Sequence, residues 1–166
     1  MGYEAALKKA WEDLAILKPG KNLSVKFLAD EYDIDMQARK VISVSCNIPA
    51  KDFAAILILH YLARKLSSLP PVSGEWLNFR ELSGVEGYSG AFRKRCIEPL
   101  IRKYGNSPRD MEFLVDAFEG VPALVKIWRK DEEFMADANI FFDATIKDIF
   151  CTEDIIVLAG FIAASL

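Results

Sequence analysis

Between Leu23 and Ser45 the apolar residues change rhythm. Before this stretch Tyr3, Leu7, Ala10, Trp11, Leu14 and Leu17 recur at the spacing of one helix face, with lysines and acids opposite, until Pro19-Gly20 stops the run. Within it the period is two. Leu23, Val25 and Phe27 alternate with polar residues, Tyr32, Ile34 and Met36 do the same, and Val41 to Ser45 adds a third β-rich piece, so two or three short antiparallel strands are expected. A helix followed directly by several strands lacks the regular βαβ alternation of a doubly wound sheet and points to an α+β arrangement.

The remaining segments extend that pattern. Pro49 falls near the first turn of a helix reaching about Ser67, and its centre, FAAILILHYLA, is apolar on nearly every side, as in a helix buried across a core. Ser68 to Gly74, with two prolines and a glycine, reads as a loop. Glu75 to Leu82 reads as a strand, and Ala91 to Arg95 as the opening of a helix. That helix should kink or restart at Pro99, because proline pushes the preceding Glu98 away from helical geometry. Ser107-Pro108 predicts a further helix, with serine as N-cap, proline at the first position, Asp110 in the first turn and Met111, Leu114, Val115 and Phe118 as its buried stripe, ended by Gly120 and Pro122. Pro122 to Arg129 and Asn139 to Ala144 read as strands, with Asp131-Glu132-Glu133 as a charged turn. The last helix starts at Thr152, a good cap followed by Glu153 and Asp154, and is apolar all round, so its own fold or a partner subunit must cover it. The expectation is one α+β domain over residues 1–166, with five or six mostly antiparallel strands packed with about five helices.

Length and composition exclude several classes of function. A chain of 166 residues buries roughly 68–70% of its unfolded surface, enough for a core without staples. A hydrophobic fraction of 52% beside 27% charged residues excludes disorder. A net charge of −3 argues against nucleic acid as a partner. Cys46, Cys96 and Cys151 form no CxxC pair and have one histidine, His60, to help them, so no metal or cofactor is expected; they read as reduced thiols of a cytoplasmic protein, and most simply as small buried hydrophobes. The apolar runs Phe53 to Ala63 and Ile155 to Leu166 fall short of the ~20 residues of a membrane span. Asp30, Glu31, Asp33 and Asp35 resemble a calcium loop in composition, but the glycine and closing glutamate of an EF-hand are missing, and a solvated strand face explains them better.

One segment suggests binding. Gly84, Gly87 and Gly90 precede a helix bearing Arg93, Lys94 and Arg95. Glycine lets the backbone approach a ligand, a helix start presents unpaired N–H groups, and guanidinium groups grip carboxylate or phosphate. Gly87, Ser89 and Gly90 would form the loop, Arg93 or Arg95 would hold an anion, Arg80 would join from the preceding strand, and Tyr88 or Trp76 would offer a ring for stacking. Arg93 and Arg95 are two apart and cannot share a helix face, so at most one points at a given ligand. The spacing GxxGxxG matches neither the dinucleotide fingerprint nor the phosphate loop, and a tightly turned connection with solvated arginines is the plainer reading.

Nucleophilic chemistry has weaker footing. Cys151 stands before a helix N-terminus, an environment that lowers a thiol pKa, and Asp143, Asp148, Glu153 and Asp154 crowd the same region; caps and solvated turns also account for these acids. His60 reads either as a core histidine with its ring nitrogens hydrogen-bonded or as a general base.

The blocks YEAALKKAWEDLA, LHYL, GEWLNFREL with AFRKRCIEPL, and NIFFDATIKDIFCTEDIIVL resemble the domain-of-unknown-function 3786 family of small proteins, found largely in anaerobic bacteria and archaea. The likeness covers essentially the whole chain. Some relatives carry a cysteine-rich iron–sulfur segment, so the resemblance implies an association with anaerobic redox or one-carbon metabolism and a redox or corrinoid protein as partner. This chain lacks that segment, and the resemblance transfers no cluster ligand and no catalytic role to Arg80, Glu81, Phe92, Arg93, Asp143, Glu153 or Asp154. Three functions stay open: a cytoplasmic binding or accessory module for an anionic small molecule, an enzyme using a carboxylate or cysteine near Asp143 and Cys151, and a homodimer formed through the apolar C-terminal helix.

Overall fold

Pro19 and Gly20 end the first helix as the sequence predicts: α1 spans Glu4–Ile16, and Ala10, Trp11 and Leu14 are its buried face. The period-two stretch folds into β1 (Leu23–Phe27), β2 (Asp30–Asp35) and β3 (Lys40–Ser43), an antiparallel sheet in sequence order. Glu31, Asp33 and Asp35 point to solvent along β2, while Asp30 accepts hydrogen bonds from the hydroxyl of Ser43 and the N–H of Ser45. Then α2 (Asp52–Ser68) buries Ala54 to Leu59 together with Tyr61 and Leu62, and packs against α1 and β1. Pro49 does not enter this helix, whose first turn is preceded by Lys51; it makes an isolated bridge with Ile42 instead.

The structure is a computed structural model that describes residues 2–166, and it divides into two compact units, one ending at Pro70 and the other running from Pro71 to Leu166. The second unit holds β4 (Trp76–Asn78), β5 (Met111–Phe118), β6 (Val121–Trp128) and β7 (Asp137–Asp143) in one antiparallel sheet of order β4-β7-β6-β5. With α3 (Ser89–Phe92), α4 (Glu98–Tyr104), α5 (Ile146–Ile149) and α6 (Thr152–Ser165), the chain is α+β, with seven strands in two antiparallel sheets among the described residues. Val121, Ala123, Val125 and Ile127 of β6 and Ala138, Ile140 and Phe142 of β7 are buried, and helices pack on these strands. Each of the valine, isoleucine and phenylalanine side chains among them stabilises the fold by roughly 1.5–3 kcal/mol.

Two helical expectations are corrected. The segment opened by Ser107-Pro108 is strand β5, joined to β6 by a tight hairpin in which Phe118 pairs with Val121 and Gly120 takes a φ of 77°. Asp110 caps no helix; its carboxylate accepts the N–H of Arg129 at 2.9 Å across the open end of that hairpin. At Pro99 the helix restarts as expected, α4 opening at Glu98 with the proline in its first turn, but Glu98 is not pushed out of helical geometry. Between α3 and α4 the chain makes a π turn, Arg93–Ile97, closed where the N–H of Glu98 donates to the carbonyl of Arg93 five residues back. The wider turn accommodates the proline ring and missing donor, and Glu98 keeps helical angles (φ −58°, ψ −39°).

The apolar last helix is covered by the chain itself. Ile155, Ile156, Leu158, Ala159, Ile162 and Ala163 of α6 are buried, and the helix packs on α3, the π turn, α4 and β5. Its N-cap is Cys151, one residue ahead of the expected Thr152.

Candidate functional site

Glu75 to Leu82 forms a strand for only three residues. After Asn78 the chain turns into a 3-10 turn, Phe79–Glu81, locked by a capping box: the N–H of Arg80 donates to Asn78 Oδ1 at 2.9 Å, and the N–H of Asn78 donates to Glu81 Oε2 at 2.8 Å. Asparagine three residues ahead of glutamate is the sequence signature of that box. Arg80 therefore leaves the strand, and β4 pairs with β7 only over Phe141 to Asp143.

Where β4 stops, a cavity of about 440 Å³ opens between the 3-10 turn, the start of α3 and the first half of β7. Its walls carry Asn78 and Arg80 from the turn, Ser89, Gly90 and Arg93 from the helical run, and Asp137, Ala138 and Asn139 from β7. Its apolar lining is Phe79, Phe92 and Ile97, with the two phenyl rings stacked at 4.2 Å between centroids and 3° between planes. A volume of this size is within the range of small-molecule sites. One guanidinium meets a carboxylate there: Arg93 Nη1 is 3.7 Å from Asp137 Oδ1, and both side chains are more than half exposed. The π turn begins at Arg93, and such irregular turns recur at functional positions.

Of the residues that the sequence singles out, Arg80, Ser89, Gly90 and Arg93 line this cavity, whereas Gly87, Tyr88 and Arg95 do not. The hydroxyl of Tyr88 donates to Glu153 Oε1 at 2.5 Å, a bond that raises the phenol pKa and lowers that of the carboxylate. Of the three loop glycines, Gly84 alone needs to be glycine for its backbone, with φ of 75°; a Cβ at Gly87 or Gly90 would meet no atom within 4 Å. The sequence reading missed Asn78, Asp137, Ala138 and Asn139. The asparagine–glutamate spacing was the available signal for the first, and nothing local marked the other three.

The groups considered for catalysis are engaged elsewhere. Asp143 is buried, and its carboxylate accepts hydrogen bonds from the N–H groups of Ser73 (3.1 Å), Gly74 (2.8 Å) and Thr145 (3.1 Å) and from the hydroxyls of Ser73 (3.0 Å) and Thr145 (2.7 Å). Burial by itself would raise its pKa, but the bonds from Thr145, Ser73 and Gly74 outweigh it and hold the carboxyl down at about 2. It ties the loop before β4 to the end of β7. The thiol of Cys151 is pushed up to about 11 by partial burial, against the depression expected before a helix, and burial pushes Cys96 up to about 12. Neither is a thiolate at neutral pH. His60 lies half-buried on α2. Among the described residues no cluster of three or more His, Cys, Asp and Glu side chains could hold a metal ion, and no described helix is long and apolar enough to cross a membrane.

No curated protein and no solved structure matches the chain. A family model does, over residues 7–121 and 106–165, and its description is "Domain of unknown function (DUF3786)". Together the two segments span nearly every element described above, so the chain belongs to the DUF3786 family.

Proposed function

We propose that this protein is a cytoplasmic binding or accessory module that holds a small anionic ligand, carboxylate or phosphate, in the cavity between Arg80 and Arg93. The observation that carries the reading is the cavity itself: two arginines from different elements line one space together with Phe79, Phe92 and Ile97 and with Asn78, Asn139 and Ser89 as neutral hydrogen-bonding groups. Planar guanidinium forks suit oxyanions, and the buried, stacked Phe79 and Phe92 rings supply the apolar part of the wall. The association with anaerobic redox or one-carbon metabolism, and a redox or corrinoid partner, rests on the family resemblance alone.

A thermal-shift panel of phosphates, nucleotides, organic acids and corrinoids tests the reading on the native chain, Arg80→Ala and Arg93→Ala. A ligand at about a hundred times its dissociation constant adds roughly 2.7 kcal/mol, a shift of about 5–10 °C at this length. A shift of that size lost in both variants is the expected result. A panel that moves nothing, or shifts that survive both substitutions, would overturn the anion site.

A further inference from the structure

We infer that the ligand of this cavity is the C-terminal tail of a polypeptide, bound as an added strand on β7 with its free carboxylate on the arginines. The inference rests on the anion reading and gives it a chemical class.

The cavity follows a stretch of strand edge that no neighbouring strand pairs. β6 pairs with β7 from Asp137 to Phe142, but on the other side β4 pairs only from Phe141 onward, because the capping box at Asn78 has turned the chain away. Along a strand the main-chain groups alternate in direction. Ala144 donates its N–H toward Glu75, on the β4 side, so the even-numbered residues of β7 face that side. Ile140 faces it too, and its N–H is satisfied by the side chain of Asn139 at 2.9 Å. The same alternation turns the N–H and carbonyl of Ala138, a residue of the cavity wall, toward that unpaired side.

A simple anion would leave this main-chain pair unused. An extended peptide satisfies it, since β-strand addition supplies the complementary carbonyl and N–H at the ladder spacing. The stretch vacated by β4, Asp137 to Asn139, spans about 10 Å at roughly 3.3 Å per residue, room for two or three added residues. The charges select the end of the chain: a terminal carboxylate meets Arg80 and Arg93, and an apolar last side chain meets Phe79, Phe92 and Ile97. The cavity opens to solvent, so the rest of the polypeptide continues outside it.

The test is an NMR titration of the ¹⁵N-labelled full chain with an N-acetylated tripeptide ending in valine, beside the same peptide as its C-terminal amide, the same peptide N-methylated at its central amide, and sodium acetate. We expect the free acid to shift the Ala138 amide and slow its hydrogen exchange, and the amide and N-methyl peptides each to bind about tenfold or more weakly, the loss of one charge-assisted or main-chain hydrogen bond. No protein variant is needed, so misfolding cannot imitate the result. Acetate and the free-acid peptide binding equally, with Ala138 unmoved, would overturn the peptide assignment and leave the anion site standing. No binding of either would overturn both.

Discussion

The guanidinium of Arg93 and the carboxylate of Asp137 meet at 3.7 Å across the rim of the cavity, one from the start of the π turn and the other from the first residue of β7. At that distance and exposure the pair contributes little to the fold, about 0–1 kcal/mol. Its larger effect is on charge, because the carboxylate competes for the guanidinium face that an incoming anion would use.

Asp137→Asn should therefore tighten anion binding while leaving folding nearly unchanged. Removing one negative charge at this range in a partly exposed site strengthens the interaction by about two- to tenfold. Isothermal titration with inorganic phosphate at low salt measures it, and the gain should shrink as salt is added. Weaker binding in the variant would mean that Asp137 contacts the ligand instead of opposing it.

Gly90 and Gly87 provide a matched pair. Neither needs a left-handed backbone, and neither has chain atoms where a Cβ would go, but Gly90 lines the cavity and Gly87 does not. Alanine at 90 also removes glycine from the first turn of α3, so the melting temperature should stay level or rise slightly. Its methyl group should weaken ligand binding several-fold, whereas Gly87→Ala should bind as the native chain does. Equal affinities in the two variants would show that the ligand does not approach Gly90.

The cysteines give a prediction independent of any ligand. Cys46 and Cys151 are exposed, whereas Cys96 is buried with its thiol donating to the carbonyl of Ile156 at 3.8 Å; partial burial pushes the Cys151 thiol up to about 11, and burial pushes that of Cys96 up to about 12. At pH 8 a thiol with a pKa near 11 is about a thousandth ionised. Iodoacetamide followed by peptide mass spectrometry should label Cys46 first, Cys151 slowly and Cys96 only on unfolding. Fast labelling at Cys151 would restore a nucleophilic cysteine to consideration.

How far the sequence discloses this molecule depends on whether a signal is local. The first unit was legible because its apolar period changes cleanly and prolines and glycines punctuate it. The segment from Met111 to Phe118 was not, because Phe113, Leu114 and Val115 place apolar groups on both parities and fit a helix stripe as well as a strand. Cross-strand pairing decides it: Leu114 stands opposite Leu124 and remains 69% exposed, a position that the helical reading had buried. At the site, the arginines and Gly90 were visible as residue types. Which arginine faces the cavity depends on the π turn, and the presence of Asp137 depends on a strand nearly fifty residues further on, so neither could be read from the loop.

Asp143 carries the clearest pH prediction. Its folded pKa of about 2 lies below the ~3.9 of an unfolded aspartate. The group therefore stabilises the fold fully above about pH 4, and that contribution is lost as pH falls from about 4 to 2, by on the order of 2 kcal/mol. Asp143→Asn presents an amide to donors that now bond a carboxylate, so it should lower the melting temperature at pH 7 by several degrees, about 2–4 °C for each kcal/mol. As pH approaches 2 the difference should close, since the native chain then loses the same charge. Urea unfolding of both chains between pH 2 and pH 7 measures the convergence. Two parallel curves would mean that the Ser73, Gly74 and Thr145 bonds hold an already protonated acid, and that the loop before β4 is fixed by other contacts.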